Sequence, residues 1–397
     1  MPRWSGFLVF FAVFLILLTA IHGYLWLRLV RAPQLPAPWR TILTGTIVLA
    51  GVSIPVVLIF FRGPTSPALA RPLVWAGYVW LGTMFLLFVG CLAGDVVRSG
   101  AWLLRRLTDG AAPDDARRRF LARGIAGGVA LTGGALAAWS VRAAVGPVAV
   151  RRVEIPIHRL SREHDGLVIA QLTDLHIGPT IGRAQLQGIV DSTNALEADI
   201  VAITGDLVDG SVDELRDAVA PLSQLRARHG VFFVTGNHEY FSGAPQWVQE
   251  VSRLGIRVLR NERVEINHNG ELLDLAGVDD ASAARFGHGH GEDLERALAG
   301  RAPGRTVVLL AHQPRTARRS AAYGVDLQLS GHTHGGQIWP FGALVALQQV
   351  FLAGLHRQGD TRVYVSRGTG YWGPPMRLGA PAEISQLVLR APDGAAT

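Results

Sequence analysis

"QLTDLHIG", residues 171–178, is an apolar run that breaks off at a carboxylate and an imidazole one residue apart, Asp174 and His176, with Gly178 close behind. Asp and His are ordinary turn residues, so the stretch decides nothing until the ends of other apolar runs are read. Beyond residue 151, short β-branched runs alternate with amphipathic stretches. The runs are "LVIAQLT", "DIVAITG", "VFFVTG", "IRVLRN", "LLDLAGV", "TVVLLA", "VDLQLS", "RVYVSR" and "ISQLVLR"; "GRAQLQGIVDSTNAL" and "SVDELRDAVAPLSQLRA" lie between some of them. This alternation predicts an α/β layered fold. In such folds ligands collect beyond the carboxyl ends of the strands.

Five of those ends deliver Asp, Asn or His: Asp174-Leu175-His176, Gly205-Asp206, Gly236-Asn237-His238-Glu239, His312, and Gly331-His332-Thr333-His334. Each alone reads as a turn; five together point to a metal centre. In an extended segment side chains at i and i+2 point the same way. Asp174 and His176 can therefore share one ion, and His332 and His334 either share one or are aimed by their turn at two. The glycines permit tight turns and close approach of a substrate. Imidazole nitrogens mixed with carboxylate oxygens favour Mn, Fe, Zn or Co over Ca, and suit Mg less well.

The N-terminal part has a different character. Hydrophobic residues make up 49% of the chain and charged residues 17%, a bias that suggests membrane segments. Residues 1–150 carry 14 Arg against four acids, whereas residues 151–397 carry a slight excess of acid. The net charge of +7 thus belongs to the apolar part, which argues against a nucleic-acid groove. Every cation is Arg, and Cys91 is the only cysteine, so an internal disulfide and a Cys-built zinc site are both excluded.

Spans are expected near 4–29, 41–61, 73–97 and 125–150, the last interrupted by Arg142 and rich in Gly and Ala; a helical span needs about 20 residues. Residues 1–150 are read as a helical transmembrane anchor and 151–397 as the α/β domain. Arg98, Arg105, Arg106, Arg117, Arg118, Arg119 and Arg123 lie between the third and fourth spans, against Arg62 and Arg71 before the third. The positive-inside rule puts the Arg-rich side in the cytoplasm and the domain outside it. Arg117-Arg118-Arg119-Phe120-Leu121 also resembles an internal twin-arginine export signal. Asp95 sits near a span end, and the spans lack the buried charges of a transport path.

"DLH" (174–176), "GDLVD" (205–209), "GNHE" (236–239), "AH" (311–312) and "GHTH" (331–334) together resemble the calcineurin-like metallophosphoesterase superfamily, over residues 165–390. "GHTHGGQIWP" and "VYVSRGTGYWGPPMRLGAPAEISQLVL" resemble its bacterial membrane-associated branch. The resemblance implies a two-sheet αββα sandwich holding two divalent ions. Asp174, His176 and His334 would bind the first, Asn237, His312 and His332 the second, and Asp206 would bridge them. A metal-bridging hydroxide would attack a phosphodiester or pyrophosphate, with His238 beside the phosphate as charge stabiliser or proton donor. The branch is associated with envelope substrates, including UDP-2,3-diacylglucosamine. Alternatives are a phosphomonoesterase or protein phosphatase, and a non-catalytic phosphate-binding membrane sensor; the intact ligand set argues against the sensor. Asp209 either orients the neighbourhood of Asp206 or sits in a solvated turn, and Glu239 supports the Asn237 loop. His288 and His290, in "FGHGHGED", resemble a metal tract but read as a flexible loop. The apolar segment 340–355 reads as core, with a lid facing the membrane or a lipid tail as the alternative.

Overall fold

The computed structural model describes residues 3–60, 67–108 and 114–392. The chain divides into two compact units, one containing residues up to Arg142 together with Gly373–Met376, the other Ala143–Trp372 and the chain from Arg377 onward.

In the first unit lie helices α1 (Arg3–Trp26), extended by a π-helical turn over Leu27–Arg31, α2 (Ala37–Phe60), α3 (Pro67–Leu107) and most of α4 (Asp115–Val145). All four contain a stretch long and apolar enough to cross a membrane. Leu18 and Leu25 of α1, Ile54 of α2, and Met84, Leu87 and Cys91 of α3 form one buried cluster. Gly133 of α4 has a packing role, because small residues let helices approach closely. A Cβ on Gly133 would sit 2.7 Å from Leu87 Cδ2.

The arginines expected in a loop are helical instead. Arg98, Arg105 and Arg106 ride on the end of α3, and Arg117, Arg118, Arg119 and Arg123 on the first turns of α4. Arginine is a good helix former, so these helices run on past their apolar stretches and carry the charge on their ends. Phe61 and Arg62 lie outside the described residues. Asp95 is paired rather than free, accepting from Tyr24 Oη at 2.7 Å, meeting Arg28 at 2.8 Å and bonding Arg98.

The described residues of the second unit form twelve strands. One sheet comprises β1 (Ala149–Pro156), β2 (Val168–Leu172), β3 (Ile200–Thr204), β4 (Val231–Val234), β5 (Arg257–Val258) and the C-terminal β12 (Glu383–Arg390), in the order β1-β12-β2-β3-β4-β5. The other comprises β6 (Glu262–His268), β7 (Glu271–Gly277), β8 (Val307–Leu310), β9 (Leu327–Ser330), β10 (Gly354–Gln358) and β11 (Thr361–Val365), in the order β10-β11-β9-β8-β7-β6. β2 to β5 run parallel, as do β7, β8, β9 and β11. The strand ends that carry Asp174, Asp206 and Asn237 therefore point one way.

Strand β3 shows how the layers form. Ile200 and Ala202 face the inter-sheet core with Leu275, Val308 and Leu329, whereas Val201 and Ile203 face the outer layer. That layer is α5 (Arg183–Asn194), α6 (Val212–Val219) and, beyond the short α7 (Asn237–Ser242), α8 (Ala244–Arg253), which contribute Leu186, Leu215 and Trp247. A third cluster with Leu294 and Leu298 covers the outer face of the second sheet around Val307 and Leu309. The architecture is the αββα sandwich that the motifs imply. Strands β1, β6 and β10, which the β-branched runs did not reveal, are all sheet edges. Edge strands keep charged and polar residues that discourage pairing with other chains, as "AVRRVEIP", "ERVEINH" and "GLHRQ" do.

Candidate metal centre

The turns after β2, β3 and β9 hold their polar residues in an unusual backbone state. Asp174, His176, Asp206, His332 and His334 have φ of 53°, 47°, 51°, 71° and 51°. This left-handed region is uncommon for non-glycine residues and costs about 1–3 kcal/mol each where it is strained. The expectation of an extended Asp174–His176 segment is corrected here. Their side chains converge because left-handed backbone at both Asp174 and His176, on either side of Leu175, curls the chain around the site.

Two of the adjacent glycines serve a different purpose from the one expected. Gly236 and Gly331 do not adopt positive φ; they leave room for carboxylates. A Cβ on Gly236 would lie 2.2 Å from Asp206 Oδ1, and one on Gly331 2.2 Å from Asp174 Oδ2.

The ligand atoms of Asp174, His176 and His334 lie within 4.8 Å of one another, as do those of Asp206, His312 and His332. The Nε2 atoms of His176 and His334 face each other at 3.1 Å, and His332 Nδ1 faces His312 Nε2 at 3.2 Å. Asp206 Oδ2 stands 3.1 Å from His312 Nε2 and 3.9 Å from His176 Nε2, reaching toward both groups. The turn of "GHTH" sends its two histidines to different groups. Asn237 opens α7, and its Oδ1 is buried without a hydrogen-bond partner. A buried acceptor left unpaired costs about 1–3 kcal/mol, and a cation would satisfy it. This orphaned oxygen and the mixed N/O donor set fit divalent metal ions.

The residues behind the site fix its orientation. His312 Nδ1 donates to Thr204 O at 2.8 Å, which turns Nε2 toward Asp206. Asp209 does orient: its Oδ2 holds His176 Nδ1 at 3.1 Å and its Oδ1 holds His238 Nδ1 at 2.5 Å. The His238 amide in turn donates to Asp206 Oδ1 at 2.9 Å. Burial opposes protonation of His238, but Asp206 and the hydrogen bond to Asp209 outweigh it and raise its pKa to about 9. The His238 ring packs edge-on against Phe241 and Trp372, each at 5.7 Å between centroids.

Glu239 is fully buried and accepts from the amides of Gly236, Asp206 and Leu207 at 2.6, 3.0 and 2.8 Å. Burial, helped by the nearby Asp206, pushes its pKa up to about 7. It clamps the Asp206 turn to the start of α7. Glu239→Gln offers one acceptor oxygen for these three amides, so metal affinity should fall about 10–100-fold. Competition with a chelator measures this, and an unchanged affinity would mean that the clamp does not set the site.

Sequence reasoning missed Arg377. It is buried and donates to the carbonyls of His334, Arg367, Gly370 and Ala380, with Nη2 3.2 Å from His334 Nδ1. In "GYWGPPMRLG" a lone arginine among glycines and prolines reads as a solvated turn, and nothing local signals its burial. His288 is exposed and His290 meets Arg260 at 3.1 Å; neither belongs to a metal-type group among the described residues. The core reading of segment 340–355 is corrected. Phe341, Leu344 and Leu347 are 47%, 56% and 82% exposed, and only its later part, at Phe351, packs against Ala317, Val363 and Val365. The segment enters its short helix Gly342–Ala346 directly from a turn, which leaves those side chains on an outer face.

Comparison with known proteins identifies the family. The calcineurin-like phosphoesterase pattern matches residues 167–336, a stretch that contains every candidate ligand. A Danio rerio protein described as a transmembrane protein with metallophosphoesterase domain is 37% identical over 387 residues, covering 92% of this chain and 86% of its own. A Bos taurus protein of the same description is 47% identical over 256 residues, covering 62% of this chain, which spans 58% of that relative's length. An uncharacterized metallophosphoesterase of Helicobacter pylori is 40% identical over 242 residues, covering 60% of this chain and 63% of its own. The chain belongs to the calcineurin-like phosphoesterases, a family of metal-dependent hydrolases. Its relatives include vertebrate as well as bacterial proteins.

Proposed function

We propose that the chain is a membrane-anchored phosphohydrolase with two divalent ions, acting on a phosphodiester or pyrophosphate carried by an amphiphile. Asp174, His176 and His334 hold one ion, Asn237, His312 and His332 the other, and Asp206 stands between them. The observation that carries this reading is the pair of His/Asp groups joined through Asp206, with the unpaired Asn237 Oδ1 beside them. Two such ions supply Lewis-acid polarisation of phosphate oxygens and an acidified water at neutral pH. The chain's own residues do the rest. Asp209 fixes the His238 ring, the protonated His238 stabilises charge on the phosphate or gives a proton to the leaving oxygen, and Phe241 and Trp372 shield that proton from water.

The exposed apolar residues support this substrate class. Trp339, Phe341, Leu344, Leu347 and Trp372 expose between 47% and 82% of their surface, and Trp372 touches the His238 ring. Contiguous exposed apolar side chains mark a binding surface, here suited to a lipid tail such as that of a UDP-2,3-diacylglucosamine-like molecule. The arginines at the ends of α3 and α4 support a cytoplasmic position for those ends and an extracytoplasmic position for the domain. A reporter enzyme fused after Arg152 tests this; activity from a cytoplasmic reporter alone would sink it.

The direct test uses the full chain in detergent, stripped of metal and reloaded singly with Mn, Fe, Zn or Mg. We expect hydrolysis of bis-p-nitrophenyl phosphate to exceed that of p-nitrophenyl phosphate, with Mg the weakest activator. Faster monoester turnover would favour the phosphatase reading, and two bound ions without any turnover would favour the sensor. Leu344→Ser/Leu347→Ser should raise KM for a lipid-linked diester by about tenfold or more, since burying one such side chain is worth about 1.5–3 kcal/mol. Its KM for bis-p-nitrophenyl phosphate should not change; a parallel rise would remove the lipid role.

A further inference from the structure

At the other end of the same sandwich, three donor side chains from separate segments converge. Asp199 immediately precedes β3, His229 lies just before β4, and His268 ends β6. Their ligand atoms all lie within 4.8 Å of one another. This is the amino end of the parallel strands whose carboxyl ends carry the candidate metal centre. Strand β3 separates the two regions, and its five residues at ~3.3 Å each span about 16 Å.

We propose that Asp199, His229 and His268 form a third metal site, separate from the catalytic pair, that takes a zinc-type divalent ion and ties the two sheets together. The geometry is specific. The His229 amide donates to Asp199 O at 2.8 Å, which sets these two residues side by side just before neighbouring strands of the first sheet. Asp199 Oδ2 accepts the Val168 amide at 2.9 Å, leaving Oδ1 toward His268 Nδ1 at 3.9 Å. His268 arrives from the second sheet, and its Nδ1 lies 2.9 Å from His229 Nε2. Two nitrogens bound at ~2.0–2.1 Å to one tetrahedral zinc stand about 3.3 Å apart, so a shift of a few tenths of an ångström admits an ion. Two imidazoles and one carboxylate are a familiar zinc donor set, with water in the fourth position.

The neighbours define the limits of the site. His164 is not a fourth ligand, since Ser161 Oγ and Glu271 O occupy its two nitrogens at 2.9 and 3.3 Å. Arg228 stands 3.9 Å from Asp199 Oδ1, but its side chain is 58% exposed and can swing into water when an ion enters. Strand β6 is a sheet edge held on one side by β7. An ion here pins that edge to the amino ends of β3 and β4, so binding favours the folded state.

The test compares the full chain in detergent with His229→Ala/His268→Ala and with Asp199→Asn, each saturated with Zn²⁺, desalted and analysed for metal per chain. The wild type should retain one more zinc equivalent than the double variant, with bis-p-nitrophenyl phosphate turnover unchanged. Asp199→Asn preserves the Val168 hydrogen bond through its amide oxygen, so it carries the test if the double variant fails to fold. It should bind the extra equivalent about tenfold more weakly or worse, as losing a carboxylate ligand is at least as severe as losing a group behind one. Zinc content and affinity equal to wild type in Asp199→Asn would overturn the proposal, as would equal content in the double variant.

Discussion

Asp206→Asn should give a folded protein whose diester hydrolysis is reduced about 10³-fold or more, the equivalent of several kcal/mol of lost transition-state stabilisation. The substitution suits the site for a conformational reason. Asp206 has φ of 51°, and asparagine is among the few residues that accept this region readily. Its amide oxygen can still accept the His238 amide, which now donates to Asp206 Oδ1 at 2.9 Å. What disappears is the second carboxylate oxygen, 3.1 Å from His312 Nε2 and 3.9 Å from His176 Nε2, and one negative charge. Burial alone would raise the Asp206 carboxyl, but the facing His312 and His238 imidazoles outweigh it and hold it well below the usual range. Asp206 is therefore anionic throughout the working pH range, and its Oδ2 reaches toward both histidine groups. The variant should melt within a few degrees of wild type while holding fewer than two ions after desalting. Turnover within tenfold of wild type, with two ions still bound, would contradict the bridging role. A cellular phenotype that follows lost turnover in this variant would contradict the sensor alternative.

The parts of the site that were legible in sequence are those whose chemistry is local. A strand end followed by Asp-Leu-His or Gly-His-Thr-His declares its donors in consecutive residues, and no tertiary knowledge is needed to list them. Their conformation was not legible, because a left-handed Asp174 or His332 is forced by the surrounding packing against the residue's own preference. Arg377 was missed for a related reason: the four carbonyls it satisfies come from residues 334 to 380 and meet only in the folded chain. Asp209 was readable as a turn or as an orienting group. The choice depended on His176 and His238, which are brought to its two oxygens by β2 and by α7. In the fold, the buried parallel strands were legible as continuous β-branched runs, whereas edge strands β1, β6 and β10 carry the charges that keep edges monomeric. The distal cluster escaped for both reasons at once, as Asp199 and His229 are turn residues and His268 closes an edge strand.

His238→Gln should cost about 10²–10⁴-fold in kcat on an alkyl phosphodiester, the usual range for a positioned proton donor, and much less on bis-p-nitrophenyl phosphate. The difference is the diagnostic part, because p-nitrophenolate departs without a proton and an alkoxide does not. The pH profile gives a second, independent reading. His238 must carry its proton, so activity on the alkyl substrate is present below its pKa and falls as pH rises through it. The protein's own groups put that pKa at about 9: burial works against the charge, and Asp206 and Asp209 prevail. Two bound cations oppose the imidazolium, so the alkaline limb should fall below pH 9 when metal is present. Asp209→Asn removes the carboxylate 2.5 Å from His238 Nδ1 and should move that limb lower again, by about one unit for each ~1.4 kcal/mol of lost interaction. The same variant should leave the alkaline limb for bis-p-nitrophenyl phosphate in place. If both substrates lost activity equally in His238→Gln, with unshifted limbs in Asp209→Asn, His238 would be holding charge on the phosphate and not delivering a proton. Asp209 would then serve only to position the His176 ring.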